Sequence, residues 1–124
     1  MPPKATVQLG TEYLDVWAET YVPARSRKQA AYAMVDAIAR GELATYIEAQ
    51  LEESMEDRTT LANGSVQQEL KLRSMQLSEQ WIGDHGPLPH GERIVEGERG
   101  EQLHVWTRIR IPRADWDNRL ENNR

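Results

Sequence analysis

The sequence predicts a single α+β domain, and three observations carry that expectation. Residues 27–40 are rich in alanine, with apolar side chains at helical spacing. Residues 93–111 hold two alternating runs around a Gly97-Glu-Arg-Gly100 turn, the pattern of a β-hairpin. Pro112 then stops the second run and a short helical segment follows. At 124 residues the chain is long enough for one domain with a modest core and short for two. Residues 1–10 are expected to be a flexible arm, 11–121 the domain and 122–124 a frayed tail.

Taken in order, Pro2 and Pro3 disfavour helix in the arm. A first helix is expected after Thr11 as N-cap, with Glu12 and Asp15 at the positive end of its dipole. Leu14, Trp17, Ala18 and Tyr21 would share its core face, and Pro23 would end it. Ser26 followed by Gln29 fits a capping box that opens a second helix, Arg27 to Arg40, with Gly41 as its C-terminal cap. Ala31, Met34, Val35 and Ile38 form its buried stripe.

Residues 44–57 satisfy two patterns. Leu43, Ile47, Leu51 and Met55 recur every four residues as in a helix, while Thr45, Ile47, Ala49 and Leu51 also alternate with polar neighbours as in a strand. Ala62-Asn-Gly-Ser65 is a turn signal, and Val66, Leu70, Leu77 and Trp81 support a helix up to Ile82, although the alternation Glu69-Leu-Lys-Leu-Arg73 would also suit a strand over its first half. Gly83 to Gly91 reads as a loop. In the hairpin, Leu103, Val105, Thr107, Ile109 and Ile111 take one face and Trp106, Arg108 and Arg110 the other. A terminal helix is expected over Asp115 to Leu120.

The core must do without Phe and Cys, so disulfide and thiolate chemistry are excluded, and a cytoplasmic setting is expected. No apolar run approaches membrane-spanning length, and Met-Pro-Pro-Lys lacks the apolar stretch of a secretory signal. The net charge of −5 is unevenly distributed: residues 25–40 and 102–124 carry excess cations, residues 41–101 excess carboxylates. Because a polyanion responds to the local field within a Debye length of about 10 Å, the basic segments are candidates for contact despite the acidic total.

No nucleophile–base pair, phosphate-cradling glycine loop or other catalytic constellation is present, and the expectation is a protein that is not an enzyme and needs no cofactor. Asp84, His85, His90 and Glu92 offer ligand atoms, but their spacing matches no established metal site and they are assigned to the loop, with His104 assigned a structural place. Trp17, Trp81 and Trp116 are assigned to the core, and Trp106 is the indole expected to be exposed.

Tyr13-Leu-Asp-Val16, Ala37-Ile-Ala-Arg-Gly-Glu-Leu43 and Arg108-Ile-Arg-Ile-Pro-Arg-Ala-Asp-Trp-Asp-Asn-Arg-Leu-Glu121 resemble segments of the excisionase-type, MerR-related winged helix-turn-helix domains of phages and mobile elements. Together they cover less than half of the chain. The resemblance implies a helix-turn-helix with a β-hairpin wing, interrupted by an inserted acidic helical segment at about 48–92, and a DNA-binding accessory or regulatory role beside a recombinase or other protein. Arg27, Lys28 and Gln29 would then face base edges of double-stranded DNA and Arg25 a phosphate, with Arg108, Arg110 and Arg113 along the adjacent backbone. A homodimer would pair half-sites. The alternative is an acidic interaction module, a phage-encoded inhibitor or DNA mimic, in which Glu48, Glu52, Glu53, Glu56 and Asp57 occupy a host protein's basic surface.

Overall fold

The computed structural model describes residues 3–54, 64–84 and 88–122. In chain order the elements are β1 (Lys4–Leu9), β2 (Tyr13–Pro23), α1 (Lys28–Ser54), α2 (Gly64–Asp84), β3 (His90–Gly97), β4 (Gly100–Pro112) and α3 (Arg113–Asn122). The α+β class is therefore present. The four strands form one antiparallel sheet in the order β1-β2-β4-β3.

Two elements correct the sequence reading at the amino-terminal end. The expected arm contains β1, and the expected first helix is strand β2. Residues 13–22 carry both periods: Leu14, Ala18 and Tyr21 fit a helix face, but Leu14, Val16, Ala18, Thr20 and Val22 also alternate without interruption. The alternation wins because all five of those side chains are buried against the helical layer, while β2 is hydrogen-bonded between β1 and β4. Trp17 and Tyr21 consequently point to the opposite side from Leu14 and Ala18. No helix precedes α1 among the described residues, so the expected helix-turn-helix lacks its first helix.

α1 is longer than expected. It starts at Lys28, one residue beyond the expected Arg27, and runs through Gly41 to Ser54, which resolves the ambiguous segment over its described part as helix. Gly41 is no cap: the positive-φ glycine among the described residues is Gly100, and Glu42-Leu-Ala-Thr45 continues the helix, with Thr45 Oγ1 donating to the Gly41 carbonyl at 2.9 Å. Ala31, Val35, Ala39, Leu43, Ile47 and Leu51 form its buried stripe, whereas Met34 is 50% exposed. At 27 residues α1 is about 40 Å long, comparable to the 11-residue β2 at about 36 Å, so one helix backs the length of the sheet.

The core lies between that stripe and the alternate residues of β2 and β4, including Leu103, Val105, Ile109 and Ile111. α2 packs on α1 through Leu70, Leu77 and Trp81, with the small Ser74 and Ser78 permitting close approach. Ser74 satisfies its buried hydroxyl by donating to the Leu70 carbonyl at 2.7 Å. Trp116 of α3 stacks on Trp81, with centroids 4.8 Å apart, and on Tyr46 of α1 at 5.5 Å. Trp81 Nε1 donates to Asp115 at 3.1 Å, which ties the ends of α2 and α3 together.

The carboxy-terminal hairpin follows the sequence reading. Gly97 pairs with Gly100 across the two-residue loop Glu98-Arg99, and Gly100 adopts a φ of 107° that a side chain would resist. The loop expected over Gly83 to Gly91 is shortened from both sides: α2 extends to Asp84, and β3 begins at His90, three residues before the expected Arg93, because His90 and Gly91 pair with Thr107 and Trp106 of β4. Of the turn expected over 62–65, residues 62–63 lie outside the described residues, as do Met55, Glu56, Asp57 and His85, while residues 64–65 belong to α2. No helix among the described residues is long and apolar enough to cross a membrane.

Candidate functional site

All three helices leave one face of the sheet open. Its composition follows from register, because residues paired across antiparallel strands point to the same side. Facing out are Lys4, Thr6 and Gln8 of β1, Tyr13, Asp15, Trp17, Glu19 and Tyr21 of β2, His104, Trp106, Arg108 and Arg110 of β4, and Gly91 and Arg93 of β3. This side carries four cations, Lys4, Arg93, Arg108 and Arg110, against the two carboxylates Asp15 and Glu19, in a chain whose total charge is −5.

Aromatic rings and guanidinium groups alternate across β2, β4 and the neighbouring β3. Arg108 lies over Trp17 at 5.4 Å from the ring centroid, Arg110 over Tyr13 at 4.5 Å and Arg93 over Trp106 at 5.9 Å. Trp17 is 41% exposed and Tyr13 39%. Trp106 is half-buried because its indole lies across Gly91 on β3, where a Cβ would meet the ring. Three hollows open along this face, of about 490, 230 and 410 Å³, and Trp17 borders each of them.

The polar groups are held firmly. Arg110 makes a two-point pair with Asp15, Nε to Oδ1 at 2.8 Å and Nη2 to Oδ2 at 3.1 Å, and that carboxylate raises the guanidinium above its ordinary pKa. Deeper in, Arg93 Nε donates to His104 Nδ1 at 3.1 Å, which leaves His104 Nε2 as the ring donor to Glu19 Oε2 at 3.0 Å. His104 is buried and stacked on Tyr21, with centroids 4.4 Å apart and planes 9° from parallel. The Glu19–His104–Arg93 chain thus fixes a guanidinium beside Trp106, at the mouth of the largest of these hollows by its lining.

The residues expected to contact DNA are placed apart. Arg25, Arg27, Lys28 and Gln29 are exposed just before and at the start of α1, near the β2 end where Pro23 pairs with Gln102. Arg110 is eight positions further along β4, about 26 Å at strand rise, so the two groups do not form one continuous surface. Lys28 is paired with Glu92 at 3.1 Å. Arg113 donates to the Gly10 carbonyl at 2.8 Å and pairs with Asp117 at 3.1 Å, where it closes the β1–β2 turn. Arg108 and Arg110 lie together on the open face, with Asp15 as the acidic partner of Arg110.

The acidic alternative has Glu52 and Glu53 exposed and Glu48 half-buried on the last turns of α1. Of the groups weighed for metal binding, Asp84 pairs with Arg119, His90 with Asp36 at 2.7 Å, and Glu92 with Lys28 and Tyr32. Among the described residues no three such side chains are gathered to hold an ion.

Sequence reasoning missed Tyr13, Trp17, Glu19 and Arg93 as site residues. The signal for the first three was the two-residue alternation within 13–22, which places an aromatic or acidic residue opposite every buried one. Comparison with models of known families, with curated proteins and with solved structures finds no match to this chain.

Proposed function

We propose that the open sheet face binds single-stranded nucleic acid. The observation that carries this reading is the alternation of Trp17, Trp106 and Tyr13 with Arg108, Arg93 and Arg110 on adjacent strands. Unpaired bases present flat π-faces, which stack on aromatic side chains without regard to sequence, while the phosphates seek nearby cations. Trp17 and Trp106 occupy diagonal positions of the β2–β4 ladder, about 7–8 Å apart at Cα, a spacing that serves two bases splayed from one strand. A duplex keeps its bases stacked inside, away from rings displayed on a sheet face. The positive balance of this side, against an acidic whole, favours a polyanion over a protein partner of mixed charge.

Titration of the full chain with single-stranded oligonucleotides, followed by tryptophan fluorescence, tests this. Quenching should accompany binding, and affinity should fall with salt. Trp17→Ala and Trp106→Ala should each cost about 1–3 kcal/mol of binding. Unchanged emission and no binding at low salt would sink the reading.

A second reading, duplex contact through Arg25, Arg27, Lys28 and Gln29, is supported by the exposure of all four at one helix start. It predicts duplex binding that Arg27→Ala with Lys28→Ala removes and Trp17→Ala leaves intact.

A further inference from the structure

We propose that the hollow beside Glu19 seats one base of the bound strand and selects bases that carry an exocyclic amino group, guanine foremost, over thymine and uracil. The inference rests on the single-strand reading of the open face and adds a specificity to it.

The hollow measures about 490 Å³, within the range of about 300–1,000 Å³ typical of small-ligand sites. Trp17 and Trp106 supply aromatic walls, and Glu19 and Arg93 supply its charged groups together with Lys4. What distinguishes this hollow from a neutral stacking slot is the carboxylate. Glu19 is 35% exposed at its side chain, and its Oε2 is anchored by His104 Nε2 at 3.0 Å. Arg93 occupies His104 Nδ1, so the imidazole donates its Nε2–H in a hydrogen bond to Glu19 and orients the carboxylate from beneath. Among the described residues, Glu19 Oε1 has no hydrogen-bond partner and no cation within 4 Å, although Lys4 is its register partner on β1.

An ionised carboxylate accepts hydrogen bonds and donates none. Cytosine N4, adenine N6 and guanine N2 each present amino protons to such an acceptor, and guanine adds the adjacent N1 proton to make a two-point match. Thymine and uracil present two carbonyl oxygens flanking a single N3 proton, which sets lone pairs against lone pairs. Stacking on the two indoles is indifferent to base identity, and Lys4 and Arg93 offer donors alone, so Glu19 is the charged acceptor in this hollow that favours amino-bearing bases.

The experiment compares oligothymidylate with the same oligomer carrying one central guanine, cytosine or adenine, on the wild-type chain and on Glu19→Gln. The amide keeps an oxygen to accept from His104 and offers its NH₂ to a carbonyl. In the wild type the guanine oligomer should bind about tenfold more tightly than oligothymidylate. In Glu19→Gln that ratio should fall towards one, chiefly through tighter binding of oligothymidylate. Equal affinities in the wild type overturn the inference and leave the single-strand reading standing, as does a ratio that survives in Glu19→Gln. Absence of binding to every oligomer overturns both. Should Glu19→Gln not fold, as circular dichroism would reveal, the wild-type comparison decides alone.

Discussion

Arg108 and Trp17 face each other directly in the β2–β4 ladder, with the guanidinium carbon 5.4 Å from the ring centroid. The cation thereby stands beside the most exposed indole of the open face without an ion pair to any described carboxylate. A phosphate next to a base stacked on Trp17 would meet it. Arg108→Ala should weaken single-strand binding and lower the slope of log affinity against log salt by about 0.7, the share of one phosphate contact. Titrations at several salt concentrations measure that slope. An unchanged slope would remove Arg108 from the interface.

Gly91 and Trp106 form the second relationship on that face. A methyl group at position 91 would intrude on the indole, so Gly91→Ala must lift Trp106 or shift β3. Overpacking of this kind costs about 1–3 kcal/mol, and the loss should appear in chemical denaturation together with a red-shifted emission. Gly83→Ala is the control, since its added carbon meets nothing within 4 Å.

Gly41 predicts the opposite sign. It sits inside α1, its φ is not positive, and a Cβ there meets nothing within 4 Å. Gly41→Ala should stabilise the protein by about 1 kcal/mol through helix propensity alone. A higher denaturation midpoint at constant m checks it, and a lower midpoint would contradict the helical placement.

The contact of α1 with β3 is pH-sensitive on both limbs. Tyr32 donates to Glu92 at 2.5 Å, with Lys28 alongside and His90 stacked on the Tyr32 ring. The tyrosine hydrogen bond, followed by that from Lys28, lowers the Glu92 pKa, and the same bond to Glu92 raises that of Tyr32 above 10.0. Glu92 therefore stabilises the fold above the ordinary carboxylate range and loses that contribution as pH falls through its lowered value. The Tyr32 contribution is complete below the ordinary tyrosine value and is lost as pH rises through the raised one. Melting temperatures across acid and alkaline pH should show both losses in the wild type, whereas Tyr32→Phe should abolish the alkaline loss and reduce the acid one to the share that Lys28 maintains.

The two ends of the chain differed in how much they revealed. The hairpin of β3 and β4 was legible to its faces, because a glycine-bounded turn and β-branched alternation agree at Leu103 to Ile111. α2 was legible from the spacing of Leu70, Leu77 and Trp81, although the alternation over 69–73 also suited a strand, and α3 from the proline stop before it. β2 was not, since Leu14, Ala18 and Tyr21 satisfy a helix period that only pairing with β4 overrules. Nor was the extent of α1, where Gly41 imitates a stop that the following residues do not obey. The site inherited that asymmetry: Arg108, Arg110 and Trp106 could be placed on one face from sequence, but Trp17, assigned to the core of a helix, is among the most exposed rings.

The ladder at the centre of the sheet joins residues 13–23 to residues 102–112, and both long helices lie between these partners in the chain. Each half of the polypeptide owns one hairpin and one long helix, and each supplies one indole and part of the charge to the shared face. Neither half can build that face by itself. During synthesis the first hairpin must wait, half of its hydrogen bonds unclaimed, until the last strand has left the ribosome, and two fragments severed between the helices could recover a working surface only by finding each other.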